Sequence, residues 1–334
     1  VNIPLSVLDL SPVTTATPGA AALRNSLDLA RHAEQLGFAR YWLAEHHSLP
    51  NIASSSPEIM IGQIAATTTR MRVGAGGVML PNHPPLAVAE RYKVLGGLFP
   101  GRIDLGLGRA PGSDPVTHYA MRRRLDDPTA DDFLERFQEL LMFERGGFPE
   151  NHPFSKVHAM PSDVPLPPIF LLGSSGYSAQ LAAQVGVGFS FAHHFSDYDP
   201  VAPMTHYRAH FKPSHAFPQP HAILALHVVC ADSDSEADRL ATSVDLNFAR
   251  RRQGHFLPIP SPEEAAAHPY SPTDRALISR NRARLIVGDK ATVRGRLEPL
   301  IEATQADEVM VTTMIFDHAA RKHSYRLLAE AFGL

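Results

Sequence analysis

Side chains able to do chemistry gather in a few short stretches of this 334-residue chain. Glu45-His46-His47 sets two imidazoles beside a carboxylate, a group suited to acid–base work or to metal ligation. A hydrogen-bonded structural histidine is the plainer reading of either ring. Gly173-Ser174-Ser175-Gly176-Tyr177-Ser178 reads as a loop opening a helix. Free backbone N–H groups, the positive helix end and serine hydroxyls would converge there on a phosphate. A serine that simply caps the helix is the plainer reading. Arg109, set between Gly108 and Ala110-Pro111-Gly112, offers a fixed cation and a fork of donors for the same anion. His193-His194 would line a pocket for a planar ring, or lie at the surface. Gly76-Gly77 would let a flat ring system rest against a strand, or would serve tight backbone packing.

The elements that must position these residues alternate along the chain. Buried-type strands are expected at Ile3–Leu10, Ala39–Ala44, Val73–Leu80, Ile103–Leu107, Pro168–Leu172, Phe189–Ala192, Ile223–Cys230 and Glu308–Thr313. Helical periodicity separates them. Between the third and fourth strands, for example, Leu86, Val88, Ala89, Tyr92, Leu95 and Leu98 recur at helical spacing before Pro100-Gly101. A strand–helix–strand crossover of this length joins parallel neighbours. Eight such units predict a single (β/α)8 TIM barrel spanning 1–334, rather than an open doubly wound sheet. No G-x-G-x-x-G follows the first strand, so the dinucleotide fingerprint is missing. Two stretches break the rhythm: 113–166, read as an insertion after strand four, and the Pro-rich 255–272 after strand seven. In such a barrel the carboxyl ends of the strands carry the active site. Glu45-His46-His47, Arg109, the Ser174–Ser178 loop and His193-His194 all fall at those ends.

Composition narrows the function classes. A net charge of −3 supplies no basic field for nucleic acid or an anionic membrane. The single cysteine, Cys230, excludes an intrachain disulfide framework and a multi-Cys zinc site. Leu8-Asp9-Leu10 lacks the paired histidines that metal-dependent hydrolase barrels need after strand one, so no metal is expected. No apolar run approaches the ~20 residues of a membrane span, and the opening residues lack a signal-peptide pattern. A cytoplasmic location is the expectation.

The same stretches resemble the bacterial-luciferase-like family of flavin-dependent monooxygenases. The resemblance rests on YWLAEHH at 41–47, GAGGVMLPNHP at 74–84, GRIDLGLGRAPG at 101–112 and LLGSSGYSAQLAAQVG at 171–186. The closing ADEVMVTTMIFDHAARKHSYRLLAEAFGL belongs to it as well. It covers nearly the whole chain, and it implies an eight-stranded barrel, often dimeric, that uses reduced FMN and O2. By resemblance, Arg109 and the hydroxyls of Ser175 and Ser178, with Ser174 beside them, grip the FMN phosphate. A non-prolyl cis peptide against the flavin falls at Gly76-Gly77. His46 matches the catalytic histidine and would manage protons while a flavin C4a-peroxide attacks a small organic substrate, the aldehyde being the archetype. The 255–272 stretch sits where relatives carry a lid that excludes water.

Two departures qualify the resemblance. The reactive cysteine of luciferase is here Gly108, and a tryptophan near its flavin aligns with His193. A dark monooxygenase is therefore expected. No nicotinamide site is apparent, so the reduced flavin is expected from a separate flavin reductase. A deazaflavin-dependent hydride transferase on the same fold is one alternative. A flavin-binding protein without turnover is another. Ile59, Ile61 and Ile64, on the helix after strand two, are read as core or as contacts of a homodimer.

Overall fold

The computed structural model describes residues 2–110, 114–122 and 131–334. Pro111 and Gly112, and residues 113 and 123–130 of the expected insertion, lie outside the described residues. The strands are β1 (Leu5–Asp9), β2 (Arg40–Leu43), β3 (Arg72–Ala75), β4 (Val78–Met79) and β5 (Ile103–Gly108). They continue as β6 (Ile169–Gly173), β7 (Gly188–Ala192), β8 (Ala222–Cys230), β9 (Ile286–Gly288) and β10 (Glu308–Thr312). All pairings among them are parallel. The order β10-β1-β2-β3-β5-β6-β7-β8 closes where β8 meets β10, from Glu308↔Ile223 to Thr312↔His227. With β4 taken as the continuation of β3, this is the closed eight-stranded barrel, ringed by helices.

The expected third strand, Val73–Leu80, is interrupted. β3 ends at Ala75, the Gly76–Gly77 bond is cis, and β4 resumes against β5. β9 has no counterpart among the expected strands. It is three residues long and pairs with the end of β8, which at nine residues outruns its neighbours. The Pro-rich stretch also holds structure of its own. Ser261 and Ser271 each close a capping box, opening the helices Pro262–Ala267 and Pro272–Arg282 with Pro in the first turn. Ile259 is buried and exchanges backbone hydrogen bonds with Val13 and Thr15, which pins this part of the stretch to the loop after β1. The insertion after β5 carries the helices Pro115–Arg122 and Phe133–Arg145.

Strand alternation sorts the buried side chains into two sets. Val7, Leu43, Leu105, Leu171, Phe189, Leu224 and Val311 face outward and pack beneath the helices in the main core. The opposite parity places Leu8, Trp42, Phe170, Ile223, Ala225 and Met310 together in the barrel lumen. Below them, at the amino-terminal end, lies a charged plug. Arg40 donates from Nε and Nη2 to Glu308 at 2.8 and 3.0 Å, and from Nη1 to Asp104, while Ser6 donates its hydroxyl to Glu308. Of the three isoleucines on the helix after β2, Ile61 and Ile64 are core, whereas Ile59 is 65% exposed.

The plug makes stability depend on acid. Burial alone would push the Glu308 carboxyl up, but Arg40 and His221 more than offset it and hold it at about 2. At the other end of the barrel, Glu45 is likewise held at about 2. There hydrogen bonds from His47 and His83 outweigh its burial. Both values lie below the ordinary 4.5, so the stabilisation is complete above about pH 4.5 and is lost as pH falls toward 2. Each group contributes on the order of 3 kcal/mol. Urea midpoints measured from pH 7 down to pH 3 should fall steeply below pH 4.5. A flat profile would show that these carboxylates are not linked to folding.

Candidate active site

β2 delivers Glu45, His46 and His47 to the carboxyl end of the barrel. Glu45 is buried and accepts from His47 Nε2 at 2.7 Å, His83 Nε2 at 2.8 Å and the Met79 N–H at 2.8 Å. It thereby ties the loop after β2 to the turn after β4, and His47 takes the structural role. His83 belongs to none of the candidate groups picked out from sequence. His46 is half-buried, with its backbone N–H donating to the Ser54 carbonyl at 3.0 Å. Its ring lies near enough to His194 to disfavour a positive charge there.

The glycines of the third strand answer first to the barrel itself. A Cβ on Gly76 would stand 2.7 Å from Leu8 Cδ1, and one on Gly77 would stand 2.7 Å from the Gly106 carbonyl oxygen. Packing against neighbouring strands is thus sufficient reason for both.

Arg109 and the serine loop come together. Arg109 follows β5, and its guanidinium lies over the Tyr177 ring, 4.4 Å from the ring centre. Tyr177 belongs to the first turn of the helix Gly176–Val185, which follows β6. Ser175 occupies the N-cap of that helix with an extended backbone, yet among the described residues its hydroxyl makes no capping hydrogen bond. The plain capping role therefore leaves its hydroxyl unused. Ser178 is buried behind Gly173, where a Cβ would come within 2.7 Å of the serine Oγ. The Ser174 carbonyl accepts from Ser196 Oγ at 2.8 Å. Arg109 also donates from Nε to Asp131 at 2.9 Å, in a pair half open to solvent on both sides. Such a pair stabilises little, so a phosphate could displace the carboxylate at small cost.

Farther round the mouth stand three more imidazoles. His193 is half-buried, and burial, with Arg284 nearby, lowers its pKa. His194 is lowered to about 3, by burial first and then by His227. His227, which no sequence motif marks, is lowered to about 4, by burial and then by Arg282. His194 and His227 are therefore uncharged at neutral pH. Among the described residues no cluster of His, Cys, Asp or Glu could hold a metal ion, and no helix is long and apolar enough to cross a membrane. A concavity of about 280 Å³ lies between Asp238, Arg282, Leu285, Val287 and Arg296.

The chain is similar to proteins along its whole length. A family profile described as luciferase-like monooxygenase matches residues 4–308. A luciferase-like monooxygenase of Escherichia coli K12 is 43% identical over 98% of this chain and 96% of its own. The N-acetyl-S-alkylcysteine monooxygenase of Bacillus subtilis is 33% identical over 98% of each chain. The crystal structure of apo-MsnO8 superposes with a TM-score of 0.90 at 36% identity, covering 99% of both chains. Two more distant structures share the fold and differ in cofactor. One is the oxygenating constituent of 3,6-diketocamphane monooxygenase from Pseudomonas putida, in complex with FMN (TM-score 0.72, 20% identity, 99% and 97% coverage). The other is an F420-dependent secondary alcohol dehydrogenase (TM-score 0.73, 13% identity, 99% of both chains). Barrel and relatives agree, and the chain belongs to the luciferase-like monooxygenase family.

Proposed function

We propose that this protein is a monooxygenase that takes reduced FMN from a separate flavin reductase and uses it with O2 to oxidise a small organic substrate. The observation that carries the reading is the meeting of Arg109 with the uncapped start of the helix Gly176–Val185. A phosphate monoester there would receive the guanidinium fork, first-turn N–H groups and the hydroxyls of Ser175 and Ser178, with Ser174 beside them. Gly76, Gly77 and His193 would flank the ring system. When bound, reduced flavin supplies the electrons that activate O2.

The chain's own residues do the rest. His46, half-buried at the mouth, would hold and deliver a proton to the reacting substrate, with Glu45 fixing the loop beneath it through His47 and His83. The 255–272 stretch would shield the site from water. The exposed Ile59, Val94 and Leu98 fit the interface of a homodimer, and a cytoplasmic location suits a supply of reduced flavin. A deazaflavin-dependent hydride transfer is the second reading, favoured by the F420 structure at the level of fold alone.

His46→Ala tests the role of the proton carrier. The variant should bind reduced FMN within a few fold of the parent. It should lose about 10²-fold or more of acceptor-dependent product formation across a panel of aldehydes, ketones and thioethers. Product formation at the parental rate would make His46 structural.

A further inference from the structure

Toward the carboxyl ends of three adjacent strands, β7, β8 and β10, stand polar side-chain atoms that find no partner among the described residues. His227 is 7% exposed, and its Nε2 is shielded from solvent without a hydrogen bond. Thr312 is 3% exposed, and its hydroxyl is in the same condition. Shielded and unpartnered too is Nδ1 of His194, whose backbone N–H is anchored to the Ala225 carbonyl.

Strand parity aims His227 and Thr312 at one place, and His194 lies beside them. Ile223 and Ala225 of β8 face the lumen, so His227, two residues on, does also. Met310 of β10 faces the lumen, and Thr312 lies beyond it in direct register with His227. Phe189 and Phe191 of β7 face outward, which turns Ala192 inward. His194, in the turn that follows β7, lies near enough to His227 for that ring to disfavour its charge. These groups form one wall of the mouth, on strands other than those that carry Arg109 and the serine loop.

A buried polar group left unpaired destabilises the fold, and such groups are expected to find a partner in the working state. The wall carries no net charge to receive an anion. Arg282, whose charge His227 feels, is engaged by Asp245 at 2.8 Å and by Asp238 at 3.1 Å. We infer that His194, His227 and Thr312 form the subsite for an uncharged oxygen of the substrate, a carbonyl or a hydroxyl, and that a carboxylate is rejected there. The imidazole N–H and the threonine O–H donate to that oxygen. This assignment rests on the flavin occupying the Arg109 side of the mouth.

The test uses 2-octanone as the neutral probe, octanoate as its anionic counterpart, and the full chain with and without reduced FMN. Dissociation constants come from anaerobic calorimetry or ligand-observed NMR. The ketone should bind, and octanoate at least tenfold more weakly. H227L and T312V should each weaken the ketone by at least fivefold, H227N should restore it to within twofold, and reduced FMN should bind all variants alike. A ketone that does not bind the parent, or binds H227L and T312V as well as the parent, overturns the subsite. So does a tenfold loss of FMN affinity in H227L, which would place the flavin on this wall. Ketone binding that depends on His227, in a protein that binds no flavin, would support the subsite and overturn the FMN reading instead.

Discussion

Arg40→Met lowers the free energy of unfolding by about 3–5 kcal/mol, the usual cost of removing one partner from a buried ion pair. The guanidinium is nearly inaccessible and serves two carboxylates at once, Glu308 through two nitrogens and Asp104 through a third. It also sits 5.1 Å from the Phe170 ring centre, and Trp42 donates its indole N–H to Asp104 at 3.1 Å. Without Arg40, Glu308 keeps His221 and Ser6 as donors. Asp104 keeps Arg72 and Trp42. The paired change R40M/E308L should recover part of the loss, because apolar side chains of similar volume satisfy a buried site without desolvating a charge. Urea unfolding measures both variants. A loss below about 1 kcal/mol in Arg40→Met, the range of a solvated pair, would mean that the plug is hydrated or rearranges freely.

Arg109→Ala weakens reduced FMN by about 1.5–3 kcal/mol, roughly 10- to 150-fold, the scale of hydrogen bonds to a charged group. Stability should barely move, because the Arg109–Asp131 pair is half exposed and such pairs contribute little. Riboflavin, which lacks the phosphate, should bind parent and variant equally. Asp131→Asn should act in the opposite direction by removing the competing carboxylate. Equal FMN affinity in parent and Arg109→Ala would remove Arg109 from the phosphate site.

The barrel is legible in the sequence because its strands are short apolar runs bounded by Gly and Pro, and parallel crossovers leave few arrangements. Helices in the Pro-rich stretch are legible in principle. Ser261-Pro262-Glu263-Glu264 and Ser271-Pro272-Thr273-Asp274 both carry the capping-box spacing, but the density of Pro around them reads as loop. β9 has no such signal, since three residues show no period and the strand exists only because β8 is long. Within the site, residues next to one another in sequence are easier to weigh than residues meeting across the barrel. Glu45-His46-His47 stands out as a motif, but which imidazole the carboxylate holds depends also on His83, 38 residues away. His227 lies hidden in AILALHVVC, where only its inward parity sets it apart from an apolar strand. Gly76 and Gly77 show the converse. Their type is conspicuous, yet the nearest demands on them come from Leu8 and Gly106.

The proposal that reduced FMN is held at the carboxyl end of the barrel is most directly tested by anaerobic calorimetry of the purified protein with reduced FMN and with a deazaflavin. Preferential binding of reduced FMN, diminished in Arg109→Ala, is the expected result. Preference for the deazaflavin would keep the fold and overturn the oxygen chemistry, and binding of neither would contradict a flavin site at Arg109 altogether.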